Sequence, residues 1–376
     1  MTTALALDAQ TPADEDPPPY ELVWYACDVR TGLIIEELQS LTPTQALTRR
    51  LGAFTTTSFS LNLNGAPKDW QACTEKGRTL LVAVDPETDT PIWPGIVLTR
   101  NGGSSTTLQL GAVTPEAYLD RRYTGDTNLI QQDQATVVTS LMTAPLSAGP
   151  NFVMDAPATG NLMDWEMLNN DDRTVLSSLG EVMAMDGGPE WTIDVAWADS
   201  TKSGFVLPVR VRPKIGLQLE APEAVFDFPG CIAEYDLAES YEAGRGATVV
   251  TARGEGEGTT RLTSADQIAT DLEAAGWPRY VYRFTPASGI TDPDHLNAHA
   301  RAAGALMKDG SAVWSVEAVA SRSPRLGRDW ALGDTVRIAV ETSPRHPDGA
   351  DVVARAWAWE LEPGADRIRP ILIEED

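Results

Sequence analysis

The chain has 376 residues, 42% of them hydrophobic, so it is too long for one small module and apolar enough to bury sizeable cores in two to four domains. With 29 basic against 54 acidic residues the net charge is −25, which disfavours any surface that grips phosphate backbones and argues against nucleic acid as a bound partner. The three cysteines, Cys27, Cys73 and Cys231, are odd in number and far apart, so they form neither a disulfide framework nor a zinc-type Cys-x-x-Cys and are expected as buried, reduced thiols.

The opening stretch MTTALALDAQ lacks the basic segment and sustained apolar core of a cleaved signal, and no run approaches the roughly 18 apolar residues that span a bilayer. The chain is expected to be soluble, with no membrane insertion. Residues 1–19 end in TPADEDPPP, an acidic, proline-rich run with few groups to bury, expected as a flexible arm that a neighbouring subunit orders. Residues 20–113 read as six short strands, ELVWYACDV, TGLIIEEL, TTSFSLNL, RTLLVAVD, PIWPGIVLTR and TTLQLGAV, with turns at Asn64-Gly65 and Asn101-Gly102-Gly103. Six strands in this length predict a small N-terminal β-barrel.

Thr114-Pro115-Glu116 predicts a short helix, with a capping oxygen ahead of a proline at the first helical position. Helical spacing then predicts helices over 131–143 and 172–185, and WTIDVAW and FVLPVRV read as strands, so residues 114–208 are expected as an α+β domain. The β pattern returns in VFDFPG, CIAEYDLAESY, ATVVTARGEG and TTRLTS. After a break it resumes in AVWSVEAVA, DTVRIAVE, VVARAWAWELE and IRPILIEE. Residues 209–263 and 309–376 are therefore expected as a second β-barrel. Residues 264–308 are expected as a helical insertion, opened by a Ser264-x-x-Gln267 capping box and continued by a helix from Asp292-Pro293 to about Lys308. Strict alternation places Val353, Arg355, Trp357 and Trp359 on one strand face. The fold class is mainly β with α+β inserts, and the order of units suggests that the two small β-barrel domains are related.

The chemistry-bearing patterns are weak. His295 and His299, four apart on a predicted helix, share a face and could hold a metal with Asp292 or Asp294, but Leu296 stands where a zinc hydrolase needs Glu, and Asp292 is explained as an N-cap. The glycine-rich run around Gly244, Gly246, Gly254, Gly256 and Gly258 leads from strand to strand and carries Glu255 and Glu257, which repel phosphate, so it reads as a hairpin tip. Asp164 with Glu166, or Asp227 with Glu234, could be assembled into a glycosidase pair, as could many pairs in a chain with 54 acids. Three histidines and no Gly-x-Ser-x-Gly leave little room for Ser/His/Asp catalysis. No catalytic, cofactor-binding or metal residue is assigned. Eleven tryptophans fit core packing, a lectin surface or an assembly interface, and the acidity fits either a solvated surface or a lumen that DNA slides through.

Several segments resemble one family. Asp28 with a Thr31-Gly32 turn leads into an apolar-acidic strand, and Phe59 to Leu63 alternates and ends at Asn64-Gly65. Gly77-Arg78 opens the strand Thr79 to Val84, Pro94-Gly95-Ile96-Val97 opens the next, and Leu108 to Val113 runs into Tyr118-Leu119-Asp120-Arg121-Arg122. Near the far end, Asp329-Trp330-Ala331-Leu332-Gly333-Asp334-Thr335-Val336 contains a Leu-Gly-Asp turn, in which Gly333 permits the turn and Asp334 can bond its backbone, followed by strands Val352 to Glu360 and Ile368 to Ile373. In layout, residues 20 to 374 resemble the tail-hub proteins of long-tailed bacteriophages, also described as minor tail or baseplate hub proteins. The resemblance implies a structural virion protein of the tail tip, made in the bacterial host cytoplasm. Two related barrels per chain would give a homotrimer a pseudo-sixfold ring that joins a sixfold tail tube to a threefold tip. Its implied partners are the distal tail ring protein, the tape-measure protein and tip or receptor-binding proteins, with DNA only in transit through the channel. The family shares no catalytic residues, so no enzyme activity and no cofactor are expected, and any wall-degrading activity would reside on another protein. The alternatives from the residues are a receptor- or carbohydrate-binding β protein using exposed tryptophans and a carboxylate-pair glycoside hydrolase.

Overall fold

The computed structural model describes residues 20–374 other than 186, 255, 257, 287–289 and 291; residues 1–19, expected as an arm, lie outside them. The first eight strands are β1 (Val23–Asp28), β2 (Ile34–Glu37), β3 (Leu41–Pro43), β4 (Leu47–Arg50), β5 (Thr56–Asn62), β6 (Thr79–Asp85), β7 (Thr90–Asn101) and β8 (Thr107–Val113). Seven of them form one sheet in the order β2-β1-β6-β7-β8-β5-β3, an open path and not a closed ladder. All seven residues of β6 are buried, which explains why TLLVAVD reads as a nearly continuous apolar run. One face of the sheet carries Trp24, Leu81, Ala83, Trp93 and Phe59 in one core, and the other carries Cys27, Leu80, Val82 and Ile96 in a second.

The middle of the chain supplies the cover for that second face. It contains β9 (Thr127–Asp133), β10 (Phe152–Asp155), β11 (Leu162–Met167), β12 (Glu190–Ile193), β13 (Ala196–Trp197) and β14 (Phe205–Arg212). β14 pairs parallel with β10 and antiparallel with β12, and its inward residues Phe205, Leu207, Val209 and Val211 join Cys27 and Leu80. A helix at Gln134–Leu141 is capped by Asp133, whose carboxylate accepts from the Ala135 amide, and a helix at Val175–Met183 is capped by Thr174. Both begin about three residues later than helical spacing predicts, because Gln131 to Asp133 are held in β9 against β11 and Asp172 turns left-handed at φ 51°. Thr114 does not cap the short helix at Pro115–Arg121; its hydroxyl accepts from the Thr55 amide and ties that turn to the first sheet.

The last nine strands are β15 (Val225–Phe228), β16 (Ile232–Ser240), β17 (Val249–Ala252), β18 (Gln267–Ile268), β19 (Val281–Phe284), β20 (Ser311–Val319), β21 (Thr335–Val340), β22 (Ala350–Glu362) and β23 (Arg367–Ile373). Six form a sheet in the order β15-β21-β22-β23-β20-β16. Numbering the strands of each path in chain order, this sheet reads 1-4-5-6-3-2, and so does β1-β6-β7-β8-β5-β3. The two sheets thus share one strand permutation, although β1 meets β6 antiparallel whereas β15 meets β21 parallel. They are also joined: β4 leaves the first unit and pairs with β22, Leu47 opposite Leu361 and Arg50 opposite Ala358. One core runs through both sheets, from Trp24 and Phe59 to Trp314, Val336 and Leu361.

Three expectations are corrected here. β17, expected in the second barrel, pairs with β18 and β19 instead, so the insertion carries a sheet of its own, with the helix Pro293–Met307 packed on β17. The expected capping box fails because the Ser264 hydroxyl accepts from the Ala252 amide of β17, which draws Gln267 into β18 and delays the helix to Thr270–Ala274. The four residues Val353, Arg355, Trp357 and Trp359 do not share a face. A bulge between Ala356 and Ala358 shifts the register, so that Trp359 joins Ala354 and Ala356 in the core.

Candidate functional site

The groups that bind the units together are buried charges at their junctions. Arg355, 1% exposed, lies beneath β22 and donates to Glu190 Oε1 at 2.7 Å, to the Gly333 carbonyl at 2.9 Å and to the Ile215 carbonyl at 2.8 Å, and it also contacts Glu190 Oε2. Glu190 in turn accepts from the Ile215 amide at 2.7 Å. The middle unit, the linker after β14 and the second sheet therefore meet on one guanidinium.

The Leu-Gly-Asp turn lies directly beside it. Gly333 sits at φ +91°, and Asp334 accepts from the Ala331 amide at 2.8 Å, as the turn chemistry predicts, and also from the Leu217 amide of the linker at 2.6 Å. Burial pushes the Asp334 carboxyl above its usual range, against the pull of those two amides.

A second junction centres on β4. Arg49, 4% exposed, donates to the Ile193 carbonyl at 2.6 Å, to Thr192 at 3.2 Å and to Glu116 at 3.3 Å. Glu116 is fully buried, and its Oε2 has no hydrogen-bond partner among the described residues. Burial raises its carboxyl above the ordinary 4.5, and the nearby Arg49 only partly offsets this. Because the native state holds this proton more tightly than the unfolded chain, the group's contribution to stability is complete below pH 4.5 and is lost as pH rises through its native value. Glu116→Gln is expected to remove that part of the dependence, read as a thermal midpoint at pH 7 that stands higher relative to the midpoint at pH 4 than in the unaltered chain. An unchanged difference would remove Glu116 as the source.

A third junction fixes the start of the chain. Arg325 forks onto Asp85, with its Nε at 2.6 Å from Oδ2 and its Nη2 at 2.7 Å from Oδ1, and its guanidinium lies 4.4 Å from the Tyr20 ring centre. The Tyr20 amide donates to Asp366 at 3.3 Å. Sequence reading missed all three junctions. Their ion-paired residues lie 67 to 240 positions apart, and the only local signal was charge placed within apolar runs, as in VVARAWAW.

The weighed chemical candidates are not brought together. Asp292 caps its helix by accepting from the Asp294 amide at 2.8 Å, while the side chain of His295 lies outside the described residues. No three His, Cys, Asp or Glu side chains converge on a metal-sized site among the described residues. Asp164 accepts from the Gln131 amide and side chain on an outward strand face, and Asp227 is spent on the Cys231 amide within a turn. The glycine-rich run leads from β17 towards β18, strand to strand, with Glu255 and Glu257 outside the described residues. Seven of the eleven tryptophans are buried, and the exposed one, Trp277 at 45%, lies 5.2 Å from the ring of Tyr241, which is 5.4 Å from the exposed Tyr280. All three cysteines are free and buried, and burial pushes the Cys231 thiol up to about 12.

No family model matches the sequence, and no curated protein is similar to it. Solved structures do match, over nearly the whole chain. The 43 kDa tail protein of prophage MuSo2 from Shewanella oneidensis aligns with a TM-score of 0.60 at 13% identity, covering 94% of this chain and 98% of that one. The tail protein from Neisseria meningitidis gives 0.58 at 13% identity, covering 94% and 96%. This chain has the fold of phage tail proteins. Prophage tail protein gp18 from Listeria monocytogenes, at 0.53 and 10% identity, covers 94% of both chains. At 10–13% identity few residues are held in common, and the likeness is one of fold.

Proposed function

We propose that the chain is a structural hub of a phage tail tip or baseplate, or of a related injection machine, and that three copies close into a ring. The observation that carries this reading is the repeated strand order within a tail-protein fold. Each chain brings two sheet units that share one strand order, so three chains bring six, the number a threefold tip needs to meet a sixfold tube. The neighbours are then a distal tail ring protein above, tip or receptor-binding proteins below and tape-measure protein within the channel, through which DNA passes. A net charge of −25 suits such a passage, since an acidic wall does not hold a phosphate backbone. The role is architectural, with no catalytic residue and no cofactor, at the tail tip of the virion.

Light scattering on the purified chain is expected to give three times the 40.5 kDa chain mass at both low and moderate salt. A single chain mass under both conditions, unchanged when tail ring protein is added, would overturn the trimeric ring.

A further inference from the structure

The second face of the first sheet is not covered to its end. Beyond β1 lies an apolar cavity of about 270 Å³, floored by Val29, Ile96, Leu98 and Val113 and walled by Tyr118. Arg30 and Arg121 stand at its lining, both exposed, and neither guanidinium meets a carboxylate or other partner among the described residues. In this acidic chain most arginines are spent, like Arg49, Arg325 and Arg355, on carboxylates of the same molecule. Two unspent cations beside an apolar cavity select a segment that offers an aliphatic side chain and a carboxylate close together.

We propose that the cavity receives the N-terminal arm of a neighbouring copy, with Leu7 in the cavity and Asp8 against the arginines at its rim. Residues 1–19 contain Asp8, Asp14, Glu15 and Asp16 but no Lys or Arg, so the arm has the charge that Arg30 and Arg121 lack. Within it, a leucine adjoins an acid only at Leu7-Asp8. Successive side chains of an extended segment project to opposite sides, so Leu7 can enter the cavity while the Asp8 carboxylate turns outward to the exposed guanidinium groups. The arm departs at Tyr20, which is pinned by Asp366 and Arg325 near the start of β1, whereas the cavity lies past the end of β1, nine residues or about 30 Å further on. Leu7 precedes Tyr20 by 13 residues and reaches at most about 43–47 Å. Within its own chain that path must cross from the core face of the sheet, where Tyr20 packs, to the opposite face, which Phe205 and Leu207 already cover. This docking rests on the ring assembly proposed above.

The test places a photo-crosslinking amino acid at Leu7 of the full chain and irradiates an equal mixture of isotope-labelled and unlabelled protein. Mixed-label crosslinks from residue 7 to residues 117–121 or 148–150 are expected. Charge reversal at both Arg30→Glu and Arg121→Glu should lower their yield about tenfold, the worth of two exposed ion pairs. Light scattering on the same samples separates the two questions. A trimer without these crosslinks, or with crosslinks only inside single chains, overturns the docking and leaves the ring standing. A chain that stays monomeric with tail ring protein added overturns both.

Discussion

Arg355→Met is expected to destabilise the protein by about 3–5 kcal/mol, because it leaves the Glu190 carboxylate buried without its counter-charge. The guanidinium also donates to the carbonyls of Gly333 and Ile215, which then keep only the Gln218 side-chain amide as a donor, so the single substitution weakens three acceptors at the meeting point of three segments. Adding Glu190→Met to the variant should recover much of the loss, since an apolar pair of similar volume carries no buried charge. Recovery should be incomplete, because the Ile215 amide then loses its acceptor. Urea midpoints of the unaltered chain, both single variants and the double variant measure the coupling. Equal losses in the single and double variants would show that the ion pair does not hold this junction.

Gly216→Ala is expected to cost about 3 kcal/mol or more, through strain at a left-handed position together with a steric clash. Gly216 lies at φ +88°, and a Cβ there would stand 2.2 Å from the carbonyl carbon of Gly333, which is itself at φ +91°. The two glycines are packed backbone to backbone, so the linker after β14 presses directly on the turn that opens β21. Gly333→Ala meets the same barrier from the other side, with its Cβ 2.5 Å from the Ile215 carbonyl oxygen. Gly364→Ala, where a Cβ meets nothing within 4 Å, serves as the control and should leave the thermal midpoint unchanged within about 0.5 kcal/mol of stability. If all three variants melt alike, the close approach is not what fixes the linker.

Much of the strand content was legible because it follows local rules. All six strands expected in the first unit form, since each has alternation or a long apolar run bounded by glycine, asparagine or proline. β3 and β4 escaped notice because they are three and four residues long, and β4 finds its partner more than 300 positions away. The bulge at Trp357 was invisible for a related reason: a single inserted residue reverses the faces without altering composition. β17 and the Ser264 turn were misassigned because a hydroxyl that fits a helix cap fits equally well against a strand amide, and only the fold decides between them. The likeness to phage tail proteins was legible in the order of units along the chain and in the Leu-Gly-Asp turn. The buried arginine junctions were not, because pairing between distant residues leaves no periodic trace.

The passage of β4 into the second sheet limits how this protein can be divided. A fragment ending before residue 350 keeps Leu47–Arg50 but loses the strand they pair with, and a fragment beginning after residue 51 presents the 358–361 stretch of β22 as an open ladder. Neither half carries a complete edge, and each holds the piece the other lacks. A gene split anywhere between the two units would therefore yield halves suited to recombining with one another, and ill suited to life as separate, soluble proteins.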